Sequence, residues 1–207
     1  MGTGTWLEEM SGTCRVLGLD DHDESLAIAG PRIEAVGGSV LKTSLERVAL
    51  PDGCASAVTA MDVLEHLDDD AEALSELVRL TKPGGVIVAT VPALPFLWSD
   101  WDEALHHRRR YRRADLARII APLDVDVLRL AYFNASAVLP VWMVRSWRKW
   151  RPPHPEATWA EHRIPGPGLN ALLYANMVLP ARWRWFRPPL GVSLLAVLRK
   201  REQAGVS

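Results

Sequence analysis

Cysteine is nearly absent from this chain. Cys14 and Cys54 are the two among 207 residues. They form no disulfide framework and no metal-ligand spacing, so they read as small core residues, and no metal site is expected. No apolar run reaches the roughly 18 residues of a membrane span. No charged, apolar, small-residue leader opens the chain, and internal repeats and low-complexity tracts are lacking. These absences exclude a disulfide-stapled scaffold, a solenoid and a helical membrane protein. A cytoplasmic protein is expected.

What is present is 48% apolar residues, enough for one good core with a small appendage. The net charge of -1 hides an asymmetry. Residues 1–105 carry 6 Lys/Arg against 19 Asp/Glu, whereas residues 106–207 carry 18 against 6. Seven of the nine tryptophans lie after position 100. An acidic half and a basic, Trp-rich half imply different jobs.

Strands and helices alternate along the first two thirds. Arg15–Leu19, Gly37–Leu41 and Ala55–Ala60 read as strands, with helices at Trp6–Met10 and Glu24–Ala29. Leu64, Leu67, Ala71, Leu74, Leu77, Val78 and Leu80 recur near helical spacing. Lys82-Pro83-Gly84-Gly85 then stops the helix, and Val86–Val91 is the continuous β-branched run of a doubly covered parallel strand. Arg113–Ile120 reads as a helix, Val125–Phe133 as a strand and Gly191–Leu198 as the last strand. This order predicts an α/β fold with a mostly parallel sheet. In such a sheet ligands sit beyond the carboxyl ends of the strands. Three signals fall there: Gly2-Thr3-Gly4 before a helix, Asp20 after a strand, and Ala60-Met61-Asp62.

The stretch AMDVLEHLDDDAEALSELVRLTKPGGVIVATVP, from Ala60 to Pro92, resembles the second half of the class I S-adenosylmethionine (SAM)-dependent methyltransferase domain. Leu64-Glu65-His66 and Lys82-Pro83-Gly84-Gly85 carry the likeness. The resemblance implies a Rossmann-like fold with flanking helices and SAM as cofactor. Gly2, Thr3 and Gly4 would then meet the methionine moiety and Asp20 the ribose. Ser44 and Leu45 would flank the adenine, and Ala60 and Met61 would lie along the cofactor. Val91-Pro92-Ala93, Leu97-Trp98-Ser99 and His107-Arg108-Arg109-Arg110-Tyr111 resemble motifs of one methyltransferase subgroup. His107 is the candidate general base, with His66 second. Tyr111 and Arg110 would orient an acidic acceptor. Trp101-Asp102 stands where that subgroup is expected to have His-Asp, which weakens a base role there. An arginine run also has a plainer reading, as an ion-paired surface. Related domains begin with a helix and a strand before the glycine loop, and this chain begins inside that loop. The expectation is therefore a displaced start and a missing first strand, between the second and fourth.

Residues 1–135 with 189–201 are thus expected to form the methyltransferase-like domain, and residues 136–188 a helical insert before the last strand. Leu139, Trp142, Met143, Ser146, Trp147 and Trp150 share one helical face, with Arg145, Arg148, Lys149 and Arg151 on others. That pattern fits a helix in a membrane interface or a lid packed on the sheet. Leu169–Leu179 and Arg182–Arg187 repeat the character. The expected partners are a small-molecule or lipid-linked acceptor and an anionic membrane surface, with the protein peripheral at the inner face. Nucleic acid is not expected. The alternative is a catalytically degenerate domain that binds a membrane or partner through its insert.

Overall fold

The computed structural model describes residues 2–45, 48–148, 166, 168, 171, 174–175 and 188–202. Its described strands are β1 (Leu17–Asp20), β2 (Ser39–Lys42), β3 (Ala55–Met61), β4 (Thr81–Pro92), β5 (Val125–Phe133) and β6 (Ser193–Lys200). Helices α1 (Thr5–Ser11), α2 (Asp23–Ala35), α3 (Asp70–Leu80), α4 (Asp100–Ala104), α5 (Arg113–Ile120) and α6 (Val138–Arg148) fall between them. β1 pairs in parallel with β2. The other four strands lie in the order β3-β4-β6-β5. There β3 and β4 are parallel and β6 runs against both β4 and β5. Among the described residues no ladder joins β1 to β3.

The Ala60–Pro92 segment departs from its sequence pattern in two ways. The helix expected from Leu64 divides into a 3-10 turn, Leu64–His66, and α3. Asp69 causes the division: its side chain accepts the Glu72 N–H at 2.8 Å and caps α3. Lys82–Gly85 does not separate helix from strand. β4 already pairs at Thr81 with Ala55, resumes with Val86 opposite Ala57, and bulges between. α2 runs to Ala35 rather than Ala29, while α5 and β5 keep their expected bounds.

The main core joins Leu74, Leu77 and Val78 of α3 to Ile87, Ala89 and Val91 of β4, Leu116 of α5, and Leu194 and Leu198 of β6. A smaller core, Val16, Ala29 and Ile33, lies under α2. α6 turns Val138 and Val141 towards the main core. Its tryptophan face looks outward, with Trp142 48% and Trp147 56% exposed. Trp150 and the segments 169–179 and 182–187 of the expected insert lie outside the described residues, apart from residues 171 and 174–175.

Candidate functional site

The strand ends carry the expected cofactor residues. Asp20 closes β1. Its carboxylate accepts the His22 N–H at 3.0 Å, and its backbone carbonyl accepts the Thr43 N–H at 2.9 Å. Burial works against its ionisation, yet the His22 amide and imidazole help to hold the carboxyl below its ordinary range. Ser44 and Leu45 follow β2, and Leu45 packs on the main core. At the other end, Gly4 precedes α1 with φ 77°. A Cβ there would stand 2.9 Å from the Ala29 Cβ, so glycine lets α1 close on α2. Gly2 also has positive φ but faces open space. Arg32 of α2 donates to the Thr3 carbonyl at 3.2 Å and fixes the turn.

At the end of β3, Ala60 is buried and Met61 half-exposed. Asp62 adopts φ 52°, unusual for a residue with a side chain. Thr90 of β4 holds it there: the Asp62 N–H donates to the Thr90 carbonyl at 3.0 Å, and the Thr90 hydroxyl donates to Asp62 Oδ1 at 3.2 Å.

The 3-10 turn that follows puts Glu65 in the interior, 0% exposed, with neither carboxyl oxygen hydrogen-bonded. Burial pushes this carboxyl up to about 8, and the neighbouring Asp62 charge adds to the shift. His107 Nε2 lies 3.9 Å from Glu65 Oε1, and the His66 and His107 rings meet edge to face at 4.8 Å. Burial and the charge of His107 hold the His66 imidazole below its ordinary range.

Asp102 organises the opposite side. It completes a capping box with Ser99 at the start of α4. Its Oδ1 lies 3.1 Å from His107 Nδ1 and 2.6 Å from Arg110 Nε, and its Oδ2 lies 2.9 Å from Arg145 Nη1 of α6. Although burial opposes ionisation, the charges of Arg110 and Arg145 hold the Asp102 carboxyl below its usual range. The replacement of His-Asp by Trp101-Asp102 therefore leaves His107 with a carboxylate partner. The readable signals were Ser99-x-x-Asp102 and the histidine five residues on. Glu65 stands in the sequence only as a letter of the Leu-Glu-His motif, since nothing in its spacing reports burial.

The arginine run is ion-paired. Arg108 pairs with Asp68 and donates to the His66 carbonyl at 2.7 Å. Arg109 meets Asp70 at 3.0 Å. Tyr111 is buried, and its hydroxyl donates to Asp70 Oδ2 at 2.7 Å. Burial first, then Asp70, raises the phenol well above its ordinary range. Tyr111 thus seats the loop on α3, which differs from an acceptor-orienting placement. The structure brings His107, His66, Glu65, Asp102 and Arg110 together. Two sets of described residues hold three donors close enough for a metal ion: Glu65, His66 and His107, and the more exposed Asp20, Asp21 and His22.

Residues 1–89 match the family model described as a methyltransferase domain. A probable S-adenosylmethionine-dependent methyltransferase of Mycolicibacterium smegmatis is 30% identical over 115 residues, 55% of this chain and 44% of that protein. A ubiquinone biosynthesis O-methyltransferase of Sodalis glossinidius is 35% identical over 104 residues, 47% of this chain and 41% of that protein. The chain thus spans under half the length of these curated relatives. Among solved structures, a geranyl diphosphate methyltransferase in complex with SAM superposes with TM-score 0.64 at 14% identity, covering 96% of this chain and 75% of that one.

Proposed function

We propose that this chain is a class I SAM-dependent methyltransferase, on the match of residues 1–89 to a methyltransferase-domain model and on its fold, and that it transfers the SAM methyl group to a small-molecule or lipid-linked acceptor. The observation that carries the proposal is Asp20, a carboxylate at the end of β1 within the matched residues 1–89. An acid there takes the two ribose hydroxyls, as in dinucleotide folds. Gly2, Thr3 and Gly4 would approach the methionine end, Ser44 and Leu45 the adenine, and Ala60 and Met61 the cofactor's length.

Methyl transfer from a sulfonium is an in-line displacement, so the protein's main task is to hold donor and acceptor aligned. A hydroxyl or amine acceptor also releases a proton. With Asp102 at Nδ1, His107 keeps Nε2 as the proton-accepting nitrogen.

The lipid-linked acceptor is favoured by α6, whose exposed Leu139, Trp142, Met143 and Trp147 suit an interface with anionic lipid. Among the described residues no helix is long and apolar enough to cross a membrane. A second reading, a catalytically degenerate domain that binds a membrane through α6, draws on the lack of a ladder between β1 and β3 among the described residues.

Calorimetric titration of S-adenosylhomocysteine into the chain tests the first reading. Micromolar binding, weakened at least about tenfold by Asp20→Asn, supports it. A folded sample that binds no S-adenosylhomocysteine but floats with anionic vesicles would establish the second.

A further inference from the structure

We propose that Glu65, His66 and His107 bind a divalent transition-metal ion whose open positions receive an oxygen of the acceptor. This deepens the methyl-transfer reading of the same site, and ion binding is measured without any methyl transfer.

The Glu65 carboxyl is fully buried, and both its oxygens lack a hydrogen-bond partner. A buried polar group in that condition is costly, and its satisfaction calls for a proton donor or a cation. The imidazole beside it, His107 Nε2 at 3.9 Å, stands beyond hydrogen-bond length. One donor atom each from Glu65, His66 and His107 lie within 4.8 Å of one another. Around a tetrahedral zinc with bonds near 2.1 Å such atoms stand about 3.4 Å apart. Ion binding would draw the farthest donors together by about 1.4 Å.

The surroundings are built for ligation. His107 Nδ1 faces Asp102 Oδ1 at 3.1 Å, the carboxylate support that orients a metal-bound imidazole and fixes its tautomer. The Arg108 N–H donates to the Glu65 carbonyl at 2.8 Å, and Arg108 Nε to the His66 carbonyl at 2.7 Å. Both ligands of the 3-10 turn are thus tethered to the loop that carries the third. Of the nearby cations, Arg110 and Arg145 are both ion-paired with Asp102, at 2.6 and 2.9 Å. Two imidazoles and one carboxylate suit zinc, cobalt, manganese or ferrous iron better than calcium. Three protein ligands leave at least one position open, as in catalytic sites.

An acceptor hydroxyl in that position is more acidic. Its oxygen forms the O–CH3 bond as the S–CH3 bond breaks. The sulfonium becomes neutral S-adenosylhomocysteine, and the hydroxyl proton passes to buffer; with an ion on Nε2, His107 is a ligand, so its base role belongs to the ion-free protein alone.

The test uses the full chain stripped with a chelator and titrated with Co2+, read by visible absorption and by elemental analysis. One ion per chain is expected, with ligand-field bands and no thiolate charge-transfer band. Glu65→Gln and His107→Ala should each weaken binding at least about tenfold, and His22→Ala, in the exposed Asp20-Asp21-His22 group, should leave it unchanged. His66→Gln gives the same readout if thermal unfolding shows either buried-site variant to be misfolded. Failure to take up one ion per chain, undiminished affinity in Glu65→Gln or His66→Gln, or loss in His22→Ala would overturn the proposal. Titration of S-adenosylhomocysteine into the same stripped sample reports the cofactor reading separately.

Discussion

Asp102 grips His107 twice: its backbone carbonyl accepts the His107 N–H at 2.8 Å, and its Oδ1 stands 3.1 Å from Nδ1. The same carboxylate ion-pairs with both Arg110 and Arg145, whose side chains are 7% and 17% exposed. Asp102→Asn keeps the shape and removes the charge, leaving two sequestered guanidinium groups unbalanced. Breaking a buried pair from one side typically costs about 3–5 kcal/mol. Urea unfolding should show a loss of that order. A loss under about 1 kcal/mol would mean the cluster is hydrated and Asp102 is no hub.

Arg145 is the latch of α6. From the helix it reaches the Leu97 carbonyl and Asp102 Oδ2, beside the packing of Val138 and Val141. Arg145→Ala removes hydrogen bonds to a charged group, each worth about 1.5–3 kcal/mol. Amide exchange within 138–148 should accelerate strongly while exchange in β4 stays slow. Uniform acceleration across both elements would show that α6 opens only with global unfolding.

Much of this architecture is legible from pattern alone. The spacing in 113–120 and the β-branched alternation in 125–133 give α5 and β5 with their observed bounds. The Leu64–Leu80 periodicity misleads because helical spacing continues through Leu67-Asp68-Asp69, where Asp69 caps a new helix. The acid–base cluster is harder to read. Glu65 and His107 lie 42 positions apart, and their meeting depends on how the arginine run folds back over the 65–70 loop through Arg108 and Arg109. Tyr111 differs again: the sequence offers a polar tip four residues after His107, and only the fold shows that its hydroxyl is engaged by Asp70.

Gly191 sits where β6 leaves its connection and crosses the end of β5. A Cβ there would stand 2.1 Å from the Phe133 carbonyl oxygen and 2.8 Å from the Phe133 amide nitrogen. These are backbone atoms, so no rotamer relieves the contact, and the Phe133–Ser193 pairing beside it must shift. Gly191→Ala should lower stability by about 1–3 kcal/mol or more. Gly12→Ala, with nothing within 4 Å, should change the melting temperature little. Equal melting temperatures for the two variants would show that the crossing is loose.

Acid sensitivity should have an identifiable source in the ion pairs of Arg79. Arg79 donates to both Glu76 carboxylate oxygens, at 2.7 and 2.6 Å. It also meets Asp52 at 2.6 Å and the carbonyls of Val48 and Leu50. Its hydrogen bonds to Glu76, ahead of any effect of burial, hold that carboxyl below its ordinary value. A carboxyl depressed in the folded state stabilises the fold above its unfolded pKa, near about 4.3 for Glu, and loses that contribution as pH falls through the folded value. Wild type should therefore exceed Glu76→Gln in urea stability at pH 7. The difference should hold to about pH 5 and close progressively below about pH 4. A gap that persists unchanged at pH 3 would assign the loss to packing of the Glu76 stem rather than to its charge.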